Sequence, residues 1–193
     1  MAELVLVRHA ATEWSGSRYC GRTDLPLTPA GEEAARDVAR EIASSLAGGV
    51  RIVSSPLLRA RQTASSIAAA IGSGDAEIDD RWAETDFGVA EGLTFDELEA
   101  IQPAIASRLT GGDAIIDWPG GETARALQDR VEAGWRDLIA RSGSQVVVSH
   151  GGPLRIAIAL ATGVDPAEVS VPGPGSVWRR SMPAGYRGNR PIR

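Results

Sequence analysis

"QVVVSHGGPLRIAIALAT", residues 145–162, is the stretch on which the fold turns. Three consecutive valines favour an extended strand buried on both faces, because branching at Cβ restricts the side chain and suits a pleated surface. Gly151, Gly152 and Pro153 interrupt the run, and residues 154–162 resume as an apolar helix. A short buried strand feeding into a helix is the building unit of a parallel sheet. His150 stands at the junction. The same device occurs near the start of the chain, where "ELVLVR" (3–8) reads as a strand and His9 follows it.

His9 and His150 are the chain's only histidines. In open parallel sheets ligands bind in the crevice beyond the carboxyl ends of the strands. If the two strands are neighbours, both imidazoles meet there.

Working outward, Thr28-Pro29 reads as a cap and a first-turn proline, opening a helix to about Ser45 that Gly48-Gly49 stops. Val50–Ser54 is a short strand. Ser55-Pro56 repeats the cap signal for a helix to about Ile71, and 76–82 is a weaker strand. Residues 94–109 and 121–141 are helical, the first interrupted at Pro103. The stretch 175–182 adds a final strand, and 184–193 reads as a frayed basic tail. Strand–helix alternation of this kind predicts an α/β fold, a three-layer sandwich with a mostly parallel central sheet flanked by helices. One domain is expected over 1–183, with 83–123 as an excursion over the active site.

Composition narrows the function. Apolar content of 43% and charged content of 23% suit a soluble globular protein. No run approaches the roughly 20 apolar residues of a membrane span, and a net charge of −5 argues against nucleic acid as partner. The single cysteine, Cys20, excludes an internal disulfide and a multi-thiolate metal site. The opening "MAELVLVRHA" has no basic segment before its apolar run, so no signal peptide is expected and a cytoplasmic location is. All twenty basic residues are arginine. A lone arginine is therefore weak evidence for phosphate binding; only its position among other motifs strengthens it.

Arg8 beside His9 offers a planar fork of donors suited to phosphate. Gly151 and Gly152 after His150 let backbone approach a ligand and open a helix whose N-terminus favours an anion. Two histidines without thiolates or a carboxylate pair make a poor metal site. They make a better phosphoryl-transfer site, one imidazole attacking and the other donating a hydrogen bond.

"LVRHAATEW" (6–14), "SSPLLRARQTA" (54–64), "ETDFGVAEG" (84–92) and "VVSHGG" (147–152) together resemble the histidine phosphatase superfamily, relatives of cofactor-dependent phosphoglycerate mutase, in order and spacing. The resemblance implies that His9 is the nucleophile. It implies that Arg8, Arg59 and His150 clamp the transferring group, and that Glu84 protonates the leaving group and then activates water. Asp86 is a weaker alternative to Glu84, and Arg61 occupies the family's variable position. "YCGRTDLPLTPAG" (19–31) resembles the segment bordering the phosphate pocket, with Cys20 and Gly21 at its rim. The substrate-binding set implied is then Arg8, Ser15, Cys20, Gly21, Arg59, His150 and Gly151, with no metal and no cofactor. Glu91 is assigned to scaffolding, and Thr63 to packing its helix on the sheet.

Three departures stand out. Ala10 and Ala11 replace the family's usual Gly and acid or Gln, Ser15 replaces an Asn, and Ala90 replaces a Trp. Ala10 would be strained if its position demanded a positive φ.

"ETDFGVAEGLTF" (84–95) lacks the basic residues that family mutases carry after the acid/base Glu. Water is therefore the expected acceptor, and the expected reaction is metal-independent hydrolysis of a small-molecule phosphate ester. "CGRTDLPLT" and "WPGGET", ahead of "ALQDRVEAGW", look most like the α-ribazole phosphatase branch; a sugar phosphate is the other candidate. A mutase-type phosphotransferase and a weakly catalytic phospho-ligand-binding protein are the alternatives. Oligomeric state, a homodimer included, is left open by the sequence.

Overall fold

A computed structural model describes residues 2–46 and 49–183. Gly48 and the expected tail 184–193 lie outside the described residues. The elements run β1 (Ala2–Arg8), α1 (Pro29–Ser45), β2 (Arg51–Ser54), α2 (Leu58–Ile71), β3 (Glu77–Ile78), α3 (Phe95–Ile101), α4 (Pro103–Thr110), α5 (Ala124–Ile139), β4 (Gln145–Ser149), α6 (Gly151–Thr162) and β5 (Val177–Met182).

Five strands form one sheet in the order β3-β2-β4-β1-β5, parallel except for β5 at one edge. The expected doubly buried strands are there. Successive side chains of a strand face opposite ways, so Val5, Val7, Val146 and Val148 pack with Val38, Ile42 and Ala64 of α1 and α2. Leu4, Leu6 and Val147 pack on the other face with Leu127, Val131, Leu154 and Ile158 of α5 and α6. That gives three layers. Residues of the 83–123 region gather round a smaller apolar cluster of their own, with Leu98, Ile116 and Trp118 at its centre.

Several boundaries move. Helix α1 begins as expected, with the Thr28 hydroxyl accepting from Gly31 N–H. Helix α2 begins at Leu58, not Pro56, and has no side-chain cap. The Ser55 hydroxyl accepts from Leu57 N–H at 3.2 Å, so it serves a turn before the helix. The strand expected over 76–82 shortens to Glu77–Ile78, because Asp79 caps a 3₁₀ turn over Asp80–Trp82. Pro103 divides 94–109 into two helices, the first opened by a Thr94–Glu97 capping box. Helix α5 starts at Ala124 behind a Thr123 cap, and β5 at Val177.

The revision that bears on the site is α6. It begins at Gly151, three residues earlier than the sequence indicates, with His150 as its N-cap and no side-chain cap of its own. Proline is tolerated in a first helical turn, so Gly-Gly-Pro does not delay the helix.

Candidate active site

Strand register puts the two histidines together. β1 pairs with β4 so that Arg8 faces Ser149, and His9 and His150 follow these two residues. Their rings lie 4.8 Å apart between centroids. β2 flanks β4 on the other side, with Ser54 opposite Val148, which brings Ser55 beside His150.

His9 is 6% exposed. Its Nδ1 lies 2.8 Å from the carbonyl oxygen of Ala10, and its Nε2 accepts from Arg59 Nε–H at 3.3 Å. A carbonyl can only accept and a guanidinium can only donate. Both partners therefore assign the same tautomer: proton on Nδ1, lone pair on Nε2. Burial pushes the His9 imidazole down to about 3, with Arg59 and Arg8 adding to that shift and the Ala10 carbonyl opposing it. A neutral ring whose unprotonated nitrogen is held in a fixed direction is what a nitrogen nucleophile needs.

His150 is fully buried and does not line the cavity; it sits behind His9. Its Nε2 is 2.7 Å from Ser55 Oγ, which already accepts from Leu57 N–H. With the hydroxyl proton directed to Nε2, Nδ1 carries the ring proton. Nδ1 is buried and has no partner. A buried ring nitrogen without a partner, this close to His9, is a group that a ligand oxygen would satisfy. Burial drives His150 well below the ordinary histidine value, and the guanidinium charges of Arg59 and Arg8 act the same way.

Arg59, fully buried, is committed to more than phosphate. Its Nη1 and Nη2 donate to the carbonyls of Thr23 and Gly21, each at 2.8 Å. The 20–23 loop is held in turn by Glu91, whose carboxylate accepts from Arg22 N–H at 2.6 Å, Thr23 N–H at 2.9 Å and Thr23 Oγ at 2.6 Å. Glu91 is scaffolding for this loop. Cys20 lines the cavity, and burial pushes its thiol up, which does not suit a nucleophile. Gly21 lines the cavity and presents its carbonyl to Arg59. Arg8 lines the cavity with Nη1 directed at the Pro172 carbonyl, 3.3 Å away, and its buried Nε unpaired.

Glu84 corrects one expectation. The α6 N-terminus, read as the seat for an external anion, holds this carboxylate instead. Oε2 accepts from Gly151 N–H at 3.1 Å; Oε1 accepts from Gly152 N–H at 3.1 Å and Thr85 N–H at 2.9 Å. Glu84 thus satisfies the first-turn amides that the helix leaves unpaired. Gly152 is needed for this approach, since a Cβ there would collide with Thr85 Oγ1 and lie 2.8 Å from Glu84 Oε1.

The departures resolve without strain. Among the described residues no non-glycine has a positive φ. Ala10 packs in a small cluster with Leu27 and Ala35, and its N–H donates to Thr63 Oγ1 at 3.1 Å. Thr63 therefore does more than pack its helix. Ser15 lines the cavity, but its hydroxyl accepts from Thr12 N–H at 2.9 Å. Arg61 is exposed, as expected.

Sequence reading passed over Arg130. It sits in α5 and donates to the carbonyls of Arg81, Ala83 and Glu84 at 2.8, 2.7 and 3.1 Å, while pairing through Nε and Nη2 with both Glu122 oxygens. The motif "WPGGET" quoted for its resemblance contains this Glu122. Arg130 fixes the backbone on which Glu84 rides, so it is a positioning residue. With Glu84 as the general acid that the resemblance implies, Arg130→Met would lower kcat about tenfold for alkyl esters, a fraction of what general acid catalysis supplies. Turnover of p-nitrophenyl phosphate should fall far less, since that leaving group needs little protonation. Equal losses on both would show a general packing role.

These residues surround a cavity of about 360 Å³ lined by Arg8, His9, Arg59, Glu84 and Gly151 on its inner side. Among the described residues no helix is long and apolar enough to cross a membrane.

The sequence model of the histidine phosphatase superfamily (branch 1) matches residues 4–175. A probable phosphoglycerate mutase, GpmB, of Salmonella paratyphi C is 36% identical over 167 residues, 85% of this chain and 76% of that protein. A mycobacterial glucosyl-3-phosphoglycerate phosphatase solved with VO3 superposes with a TM-score of 0.81 at 27% identity, covering 94% of this chain and 93% of that one. The protein TTHB049 of Thermus thermophilus gives a TM-score of 0.70 at 32% identity over 97% of both chains.

Proposed function

The chain belongs to the histidine phosphatase superfamily and is a phosphatase of that type, and from that premise we propose a metal-independent phosphomonoesterase working through a phosphohistidine. The observation that carries it is the assigned tautomer of His9, with an unprotonated Nε2 that accepts from Arg59 in a cavity shared with Arg8 and Glu84.

Nε2 attacks phosphorus as the bond to the ester oxygen breaks, and Glu84 gives that oxygen its proton. Water then attacks the phosphohistidine and Glu84 takes the proton back, releasing phosphate and neutral His9. Arg8, Arg59 and the Nδ1–H of His150 stabilise charge on the equatorial oxygens, and loose phosphoryl transition states gain mainly from such clamps. Small phosphorylated metabolites are the substrate class, with α-ribazole phosphate or a sugar phosphate as the finer reading. A cytoplasmic location belongs to the same reading.

Hydrolysis of p-nitrophenyl phosphate in the presence of chelator tests this. Steady turnover with EDTA present is expected, and no turnover at any pH between about 4 and 9, the ordinary working range of acid–base catalysis, would overturn it. The name of the GpmB relative favours a mutase. Phosphate exchange between 2- and 3-phosphoglycerate, without net release of phosphate, would establish that reading instead.

A further inference from the structure

Beside its polar groups the cavity is walled by Trp14, Tyr19, Phe87, Ile115, Trp118 and Val171. Three of these rings touch one another: Tyr19 and Phe87 meet edge-on at 5.7 Å, Tyr19 and Trp118 lie 5.6 Å apart, and Phe87 and Trp118 lie 4.6 Å apart. Their backbones are pinned. Tyr19 N–H donates to Leu93 O and its carbonyl accepts from Gly92 N–H, while Trp118 N–H donates to Glu122 O. The wall is therefore held in place before any ligand arrives.

The cations at this level are engaged. Besides Arg8 and Arg59, the cavity-lining arginines are Arg18 and Arg155. Arg18 pairs with Glu97 at 3.1 Å and donates to Gly92 O. Arg155 directs Nη1 at the carbonyls of Pro166 and Val169. An alcohol bearing a carboxylate would have to compete with these contacts. A flat apolar ring would instead bury itself against the aromatic side chains of this wall.

We infer that the substrate is a phosphate monoester whose alcohol carries a flat apolar ring, aryl or nucleoside-like, seated on Tyr19, Phe87 and Trp118 while its phosphate lies on Arg8, His9 and Arg59. This rests on the phosphatase reading above and narrows its substrate class. It sets the chain apart in chemistry from the carboxylate-bearing compounds in the names of two relatives.

The test compares 2-phenylethyl phosphate with propyl phosphate, whose alcohols are of similar acidity, so that leaving-group chemistry cancels. Wild-type kcat/KM is expected to favour the phenylethyl ester roughly 10- to 50-fold, as burial of one ring face implies. Phe87→Ala should shrink that ratio several-fold, and its circular dichroism reports whether it folds. Should the variant not fold, inhibition of the wild type by 2-phenylethylphosphonate against propylphosphonate gives the same ratio without a substitution. Equal use of both esters, or 3-phosphoglycerate hydrolysed faster than either, would overturn the ring site and leave the phosphatase reading standing. Failure to hydrolyse any ester would overturn both.

Discussion

His9→Ala is expected to lower turnover of p-nitrophenyl phosphate by about 10⁴-fold or more, the scale on which removal of a covalent nucleophile acts. No other group in the cavity can take its place. His150 has its Nε2 bound to Ser55, burial pushes the Cys20 thiol up, and Glu84 is the proton donor in the proposed reaction. Brief mixing of wild-type enzyme with radiolabelled substrate should leave label on the protein. A phosphoramidate would make that label labile in acid and stable in alkali, and His9→Ala should carry none. A variant that kept most of its turnover, or a label stable in acid, would place the nucleophile elsewhere. His150→Asn should lose less, on the order of 10²- to 10³-fold, as for one preorganised donor to a developing oxyanion.

The legible parts of this site were those written locally. Strand, histidine and glycine stand next to one another in "VVVSHGG", and a parallel pair of strands converts two such local patterns into one crevice. Thr28-Pro29 likewise carries its own helix start. The parts that did not read out depend on partners distant in sequence. Ser55-Pro56 has the form of a helix cap, yet the Ser55 hydroxyl contacts His150, ninety-five positions away. The α6 N-terminus looks vacant in sequence because its occupant, Glu84, lies sixty-seven residues upstream. Arg130 resembles any arginine on an amphipathic helix until the carbonyls of 81, 83 and 84 are seen to converge on it. Tautomers are of the same kind, since each is set by what the other ring nitrogen touches.

Burial of His9 as a neutral ring also makes the fold sensitive to acid. Its folded value of about 3 lies below the ordinary 6.5, chiefly through burial, then through Arg59. As pH falls through 6.5, the unfolded chain takes up a proton at this position that the folded protein refuses until pH approaches 3. The stability involved is fully present above pH 6.5 and drains away between 6.5 and 3. By pH 4 the loss amounts to about 3 kcal/mol from this residue alone, and His150 acts in the same direction. His9→Asn removes the titrating group, so urea unfolding of the two proteins at pH 7.5 and pH 4 isolates it from carboxylates that titrate in both. Wild type is expected to lose about 3 kcal/mol more than the variant over that interval. Parallel losses would mean that His9 ionises near its ordinary value in the folded protein. The assigned tautomer could not then be the resting state near neutral pH, and catalysis would show an acid limb near 6.5. A neutral His9 instead lets activity persist towards pH 4, where unfolding rather than protonation of the nucleophile sets the limit.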